Sequence, residues 1–353
     1  MTRFVQLHLL TSYPPSNLNR DDTGRPKTAL VGDANRLRIS SQSLKRAWRT
    51  SEAFEAAMAG HLGTRTKLMG KGVFEQLKAG GVDEKPAREW AKAIAACFGK
   101  PKSDKKPVDD SDLEIEQLAH FSPEERDAIK ALTSTLVARK EKPSESELKL
   151  LSQPRTAVDI AMFGRMLADA PAFNMEAAVQ VANAITVHRA AVEDDYFSAV
   201  DDLNTKETSG AAHIGERGYG AGLFYLYVAI DRELLTKNLG GDPVLAARAL
   251  DALVNAVTKV SPTGMQNSFA SRAYAAYVLA EKGNQQPRSL AQAFLKPVKP
   301  FDDQNMFDKA VEAIELRCKN FDAVYGACAD SRYTVNVEKP EGSISGLASF
   351  VAG

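Results

Sequence analysis

The stretch Arg36-Leu37-Arg38-Ile39-Ser40-Ser41-Gln42-Ser43-Leu44-Lys45-Arg46-Ala47-Trp48-Arg49 concentrates more chemistry than any other in this chain. Three serines precede an apolar periodicity, which marks a helix start. A helix N-terminus carries unpaired N–H groups and partial positive charge, and so favours phosphate. Ser40, Ser41 and Ser43 add hydroxyl donors at that end. Lys45 and Arg49 lie four residues apart on one face, where they can follow successive phosphates, with Arg38 and Arg46 beside them. Such a constellation holds a nucleic-acid backbone without reading its bases. The plainer alternative is a solvated basic helix capped by serine.

Signatures of catalysis are scarce. No G-x-x-x-x-G-K-[ST] loop occurs, and no G-x-G-x-x-G follows a strand. Gly218-Tyr219-Gly220-Ala221-Gly222 precedes a strand instead and reads as a hairpin neck, while Gly342-Ser343-Ile344-Ser345-Gly346 has the wrong spacing for a nucleophile elbow. The five histidines (His8, His61, His120, His188 and His213) are scattered, with no metal-ligand spacing, and no cofactor is expected. His188 or His213 could serve as the base of an RNA endonuclease without a metal, since RNA can be cut by its own 2′-hydroxyl, although a structural or hydrogen-bonding role is the better-supported reading. Asp194-Asp195 and Asp201-Asp202 could hold a divalent ion, although solvated carboxylates of a hairpin explain them as well.

These residues need elements to position them. Alternation over Phe4–Leu10 predicts a first strand ended by Pro14-Pro15, then a polar loop over 16–37. A helix follows from Ser40, with Leu44, Ala47/Trp48, Phe54 and Ala57/Met58 on one face. Residues 60–81 and 99–112 are rich in breakers and charge, and between them Glu84–Phe98 predicts an amphipathic helix. Helices are also expected at Pro123–Arg139, Ser144–Leu151, 174–182 with Asn174 as cap, 243–260 with Asp242 as cap, and Asp303–Tyr325. Strands are expected at Ala184–Val192, Leu223–Asp231, Arg272–Leu279 and around Tyr333, Val335 and Val337. With the helical segment 60–155 removed, the order approaches a ferredoxin-like βαββαβ sandwich.

The chain has 353 residues, enough for roughly two domains. At 44% hydrophobic and 25% charged it can bury an ordinary core. It has no long apolar run for a membrane span and no apolar signal core near Met1, so a cytoplasmic location is expected. Cys97, Cys318 and Cys328 are too few and scattered for a disulfide framework. Net charge is zero, but the charges are segregated. Residues 1–50 carry nine basic and three acidic side chains, 259–299 carry six and one, and 191–210 carry one and six. Separated patches of opposite sign suggest a polyanion site and self-complementary contacts elsewhere.

The motifs Asn19-Arg-Asp-Asp22, Arg38-Ile-Ser-Ser-Gln-Ser-Leu-Lys-Arg46, Val158-Asp-Ile-Ala-Met-Phe-Gly-Arg-Met166, Ala184-Ile-Thr-Val-His188, Phe197-Ser-Ala-Val-Asp-Asp-Leu203 and Ala212-His-Ile-Gly215, leading into Gly222-Leu-Phe-Tyr225, occur in this order. Together they resemble the backbone subunit of the type I-E CRISPR Cascade complex, the CasC subunit of Cas family seven. The resemblance covers 1–50 and 155–230 well and 255–300 weakly.

It implies an α+β fold shaped as a hand. The RNA-recognition-like (ferredoxin-like) palm would take 1–58, 183–192 and 223–353, the helical fingers 59–182, and the β-hairpin thumb 193–222. Implied partners are CRISPR guide RNA, the target DNA strand, further copies of the chain in a head-to-tail filament, and other Cascade subunits, with no membrane. A heterologous interface that does not close generates such a filament. Arg20, Lys27, Arg38, Ser40, Gln42, Ser43, Lys45, Arg46 and Arg49 would hold guide phosphates and riboses. Arg165 and Met166 would stand at the finger base, with Met166 wedged beside a kinked nucleotide. Phe197, Ser198 and Val200 would form the thumb tip near a base displaced at regular intervals, and His213 lies in the same hairpin. Tyr196 stands where some relatives carry Trp. Gln266, Lys296 and Lys299 would approach guide or target backbone. The implied role is a non-catalytic antiviral scaffold.

Overall fold

The computed structural model describes residues 2–103, 109–151, 156–199, 213–299 and 305–353. In chain order its elements are β1 (Phe4–Ser16), β2 (Thr28–Val31), β3 (Ala34–Ile39), α1 (Ser41–Arg49), α2 (Glu52–Ala57), β4 (Thr64–Thr66), α3 (Met69–Ala79), α4 (Glu84–Ala96), β5 (Ala119–Phe121), α5 (Pro123–Arg139), α6 (Glu145–Leu151) and α7 (Val158–Phe163). There follow β6 (Val179–Val181), β7 (Ala184–Thr186), β8 (Glu193–Ala199), β9 (His213–Asp231), α8 (Arg232–Asn238), α9 (Pro243–Lys259), α10 (Gln266–Phe269), β10 (Ala275–Gly283), α11 (Met306–Tyr325), β11 (Ser331–Asn336) and α12 (Ile344–Ala352). The fold is α+β and divides into two compact units. One comprises 1–54, 180–232 and 250–353; the other comprises 55–179 and 233–249.

The first unit is built on an antiparallel sheet. Among the described residues it has nine strands, in the order β11-β10-β1-β9-β7-β3-β2, with β6 and β8 also paired to β9. β1 is the centre: Leu7 faces Val228 on β9 and Ala280 on β10. Val5, Leu7, Leu9, Val228, Ile230, Val278 and Ala280 are wholly or almost wholly buried on one face. Leu10, Tyr225, Tyr277 and Leu279 on the other face pack with Phe307, Val311 and Ile314 of α11. Burial on both faces explains why Leu223–Asp231 reads as a continuous apolar run rather than an alternation.

A charged network lies under that second face. Glu281 is fully buried and accepts from Arg288 Nη1 at 2.6 Å and Arg332 Nη2 at 2.9 Å. His8, also fully buried, lies 3.2 Å from the same carboxylate through Nε2 and 2.9 Å from Tyr225 Oη through Nδ1. A carboxylate only accepts, so His8 Nε2 carries the proton and Nδ1 accepts from the tyrosine, which in turn accepts from Leu290 N–H. Burial pushes the His8 pKa down, whereas Glu281 is held well below the carboxylate range by its hydrogen bonds from His8 and Arg288, which outweigh desolvation. Both groups bind protons more readily once unfolded, so both contributions vanish in acid. We therefore expect the melting temperature to fall as pH drops below the ordinary histidine value of 6.5, and more steeply below the ordinary glutamate value of 4.5. A melting curve against pH checks this, and His8→Gln should flatten the upper part of the fall.

The second unit has its own core of Leu77, Ala91, Ile94, Leu113, Leu136 and neighbours from α3, α4 and α5. The helix over Pro123–Arg139 forms as the sequence predicts, with Ser122 and Glu125 making a reciprocal capping box. The breaker-rich stretch 60–81, in contrast, contains the helix α3. Its Gly70 is there for close approach rather than for a turn, because a Cβ would lie 2.2 Å from the Leu113 carbonyl oxygen.

Other expectations need correction. β1 does not stop at Pro14-Pro15; the pairing shifts between Tyr13 and Ser16, a bulge that accommodates the missing N–H groups. The expected loop 16–37 contains the β2–β3 hairpin, turned at Gly32-Asp33. The helix expected to run from Ser40 to Met58 breaks at Thr50-Ser51 into α1 and α2. No helix occupies 174–182: the Asn174 side chain accepts from Leu167 N–H at 2.7 Å instead of capping a helix. The strand expected over Ala184–Val192 is confined to β7. The strand expected over Arg272–Leu279 begins at Ala275 and runs on to Gly283. In the last strand Val337 falls outside β11 and is exposed. Residues 301–304, at the start expected for the Asp303–Tyr325 helix, lie outside the described residues, and α11 begins at Met306 with Asn305 as cap. The three cysteines are free. Among the described residues, no helix is long and apolar enough to cross a membrane.

Candidate nucleic-acid interface

The loop between β1 and β2 is braced by its own polar side chains. Asn17 Nδ2 donates to the carbonyls of Gly24 and Gly218, at 2.9 and 2.8 Å. Asn19 Oδ1 accepts from Ser40 N–H at 2.8 Å, which ties the loop to the start of α1. Asp21 Oδ1 accepts from Thr23 N, Thr23 Oγ1 and Arg25 N. The Thr23 hydroxyl foremost, helped by backbone N–H groups, holds the Asp21 carboxyl below its ordinary range. In Asn19-Arg20-Asp21-Asp22, then, the first and third residues shape the loop and the second and fourth remain exposed side chains.

α1 turns Leu44, Ala47 and Trp48 inward. Gln42, Lys45, Arg46 and Arg49, spaced i, i+3, i+4 and i+7, share the opposite stripe, with Gln42 and Arg46 exposed and Lys45 and Arg49 half-buried. The helix end itself differs from the sequence expectation. Ser40 is buried and its hydroxyl accepts from Ser43 N–H at 3.3 Å, while Ser41 N–H donates to Asn183 Oδ1 at 3.0 Å. Most of the donors that would make this terminus a phosphate site are thus spent within the fold, and phosphate affinity falls to the side chains.

A polar cavity of about 500 Å³ opens between the loop and the helix. It is lined by Arg20, Asp22, Gly24, Ser43, Arg46, Thr50, Thr263 and Gly264 among others. Gly264 lets the 261–264 turn press onto the loop, because a Cβ would lie 2.5 Å from the Leu18 carbonyl oxygen. A smaller cavity beside it is lined by Lys27, Arg38, Gly220 and Phe224. Of the residues singled out in the sequence, Arg20, Ser43 and Arg46 therefore meet in one cavity and Lys27 and Arg38 in the next. Asp22, Thr50 and Thr263 were missed there. Their signal was weak, since an aspartate in a basic patch and two threonines at element ends look like ordinary loop residues.

Other expected site residues stand apart. Gln266 braces its own turn, with Nε2 donating to Pro262 O and Ser271 Oγ. Lys296 and Lys299 are exposed in the segment after Phe294. Phe197 lies under the Arg217 guanidinium at 4.2 Å, Ser198 is exposed next to it, and Tyr196 is exposed. Val200, Asp201 and Asp202 lie outside the described residues, and of His213 only the backbone is described. Asp194 pairs with Arg25 at 2.9 Å, and among the described residues no cluster of three His, Cys, Asp or Glu could hold a metal.

Two sequence expectations fail on burial. Arg36, counted in the basic patch, is fully buried and donates to the carbonyls of Thr186 and Phe294. Arg165 does not face a ligand: its side chain is 2% exposed, pairs with Glu125 at 2.9 Å and donates to the carbonyls of His120 and Phe173. Its neighbour Met166 is 82% exposed. The base proposed for catalysis is also occupied. His188 Nδ1 meets Arg189 O at 2.8 Å, Nε2 accepts from Leu223 N–H at 3.3 Å, and burial lowers its pKa.

The model of a family described as CT1975-like protein matches residues 5–349. No curated protein matches the chain. Among solved structures, the chain is similar to one from a CRISPR RNA-guided surveillance complex in a pre-nicking state, at 27% identity and a TM-score of 0.85 over 99% of each chain. A chain of another CRISPR RNA-guided surveillance complex has the same fold, at 24% identity, a TM-score of 0.75 and 99% coverage of each chain.

Proposed function

Because this chain belongs to the CT1975-like protein family, we propose that it is the guide-RNA-binding backbone subunit of a CRISPR surveillance complex, of the type I-E kind and without catalysis of its own. The observation that carries this reading is the cavity in which Arg20, Ser43 and Arg46 converge, beside a second holding Lys27 and Arg38, in a chain so similar to one of a surveillance complex. Two neighbouring cavities lined by cations and hydroxyls suit successive phosphates of a single strand.

In this reading the sheet is an RNA-recognition-like palm over 1–58, 183–192 and 223–353, residues 59–182 are fingers, and the β8–β9 hairpin over 193–222 is a thumb. Copies stack head to tail along the guide with other subunits of the complex, displace a base at intervals, and leave the rest to pair with target DNA. The exposed Glu193 and Asp195 of the acidic hairpin, whose Asp194 is already paired with Arg25, and the basic N-terminal segment supply charges of opposite sign for such stacking. The cytoplasm is the expected compartment. The ribonuclease alternative draws no support from His188, whose two ring nitrogens are engaged by the backbone.

The test is to purify the chain with and without the products of its neighbouring genes and to run any retained nucleic acid on a denaturing gel. A discrete guide-length RNA in a large assembly, unchanged on incubation, is expected. Protein free of nucleic acid under both conditions, or RNA shortened by this chain alone, would overturn the proposal.

Met166 gives a finer test. As an apolar wedge it unstacks one base step, at a cost of about a few kcal/mol repaid elsewhere in the complex. Met166→Ala should leave folding intact, since the side chain is exposed, and should erase the periodic rise in 2-aminopurine fluorescence along the bound guide. An unchanged pattern would remove the wedge from the mechanism.

A further inference from the structure

The cavity at the α1 face is lined by two carboxylates, Asp21 and Asp22, that phosphate binding does not explain. Asp22 is exposed at its wall with Arg20, Ser43, Arg46, Thr50 and Thr263, and it makes no hydrogen bond or ion pair with any described residue. Its neighbour Asp21 is different, since one carboxylate oxygen already takes three donors of its own loop. A free carboxylate repels phosphate and weakens the attraction of the two arginines. It is also acceptor-only, so it gains nothing from a backbone that offers only oxygen acceptors. The hydroxyls of Ser43 and Thr263 can donate to phosphate oxygens, whereas the Thr50 hydroxyl already donates to Arg46 O at 2.9 Å; Asp22 cannot donate at all.

A polynucleotide strand presents two kinds of donor to such a group: base N–H and the ribose 2′-hydroxyl. The 2′-hydroxyl adjoins the phosphates that Arg20 and Arg46 would hold, recurs on every nucleotide whatever the sequence, and is absent from DNA. Resting on the RNA reading of this cavity, we infer that Asp22 accepts a hydrogen bond from a ribose 2′-hydroxyl and makes the site selective for RNA over DNA of the same sequence. Arginine supplies the affinity in this arrangement, and the carboxylate turns a general polyanion site into one that rejects strands lacking the donor.

The test measures binding of the full-length chain to guide-length single-stranded RNA, to DNA of the same sequence, and to RNA methylated at every 2′-oxygen, which keeps the oxygen but loses the donor. Wild-type protein should prefer RNA and bind the methylated strand about as weakly as DNA. Asp22→Ala should lower the RNA-to-DNA affinity ratio by roughly tenfold, the scale of one hydrogen bond to a charged acceptor. Asp22→Asn, which retains an acceptor oxygen, should lower it less. If Asp22→Ala instead strengthens RNA and DNA binding alike with the ratio unchanged, the carboxylate only repels and the inference fails. It also fails if the ratio changes with base sequence but not with 2′ chemistry, because the donor is then a base. Wild-type protein that binds neither strand, both alone and together with the products of its neighbouring genes, would overturn the RNA reading itself, and this inference with it.

Discussion

Replacing Arg20 and Arg46 together by alanine is expected to weaken binding of guide-length RNA by roughly 100-fold at moderate salt. Each exposed arginine reaching a phosphate makes charge-assisted hydrogen bonds worth about 1.5–3 kcal/mol, and about 3 kcal/mol in total is two decades of affinity. Both side chains line the same cavity and neither is tied to a described residue, so their removal leaves the fold unchanged. The diagnostic is the salt dependence. For single strands the slope of log K against log salt falls by about 0.7 for each phosphate that is no longer neutralised, so the double variant should show a slope shallower by about 1.4. Fluorescence anisotropy over a range of salt concentrations measures both quantities. An undiminished slope would mean that these arginines do not neutralise phosphates, whatever happens to the affinity.

The second large effect is one of stability. Arg165→Ala should lower the unfolding free energy by about 3–5 kcal/mol, the cost of leaving one partner of a buried ion pair uncompensated. Arg165 and Glu125 are both almost completely buried, at 2.9 Å, and Arg165 also satisfies the carbonyls of His120 and Phe173. Glu125 itself closes the capping box of α5. Urea titration followed by circular dichroism checks the loss. A variant with wild-type stability but weakened RNA binding would restore the arginine to the ligand-binding surface. The same clamp accounts for Met166: the chain on its N-terminal side is pinned by Arg165, and Leu167 on the other side is held by Asn174. A large apolar side chain is thereby held out in solvent.

Much of this molecule can be read along the chain, and the parts that cannot have a common cause. Alternation and apolar runs located the strands containing Leu7 and Tyr225. Apolar periodicity located α5, and the spacing of Lys45 and Arg49 already defined a basic face. All of these signals are local: side-chain period, caps and charge act within a few residues and survive in any fold that keeps the element. The fates of Arg36, Arg165, Asn174 and Gly70 are of another kind. Arg36 and Arg46 are chemically identical and ten residues apart, yet one is fully buried on backbone carbonyls and the other lines an open cavity. Asn174 lies where a helix cap would stand but binds Leu167, and Gly70 marks the approach of Leu113 rather than a turn. For Arg36, Arg165 and Gly70 the deciding partner is distant in the chain, and for Asn174 it lies on the N-terminal side, away from the helix that it would cap. Residue type and spacing therefore marked which side chains carry the charge and donors suited to a phosphate. Which of them stay accessible to a ligand was decided by folding, because burying a polar group requires a partner that the neighbouring sequence does not contain.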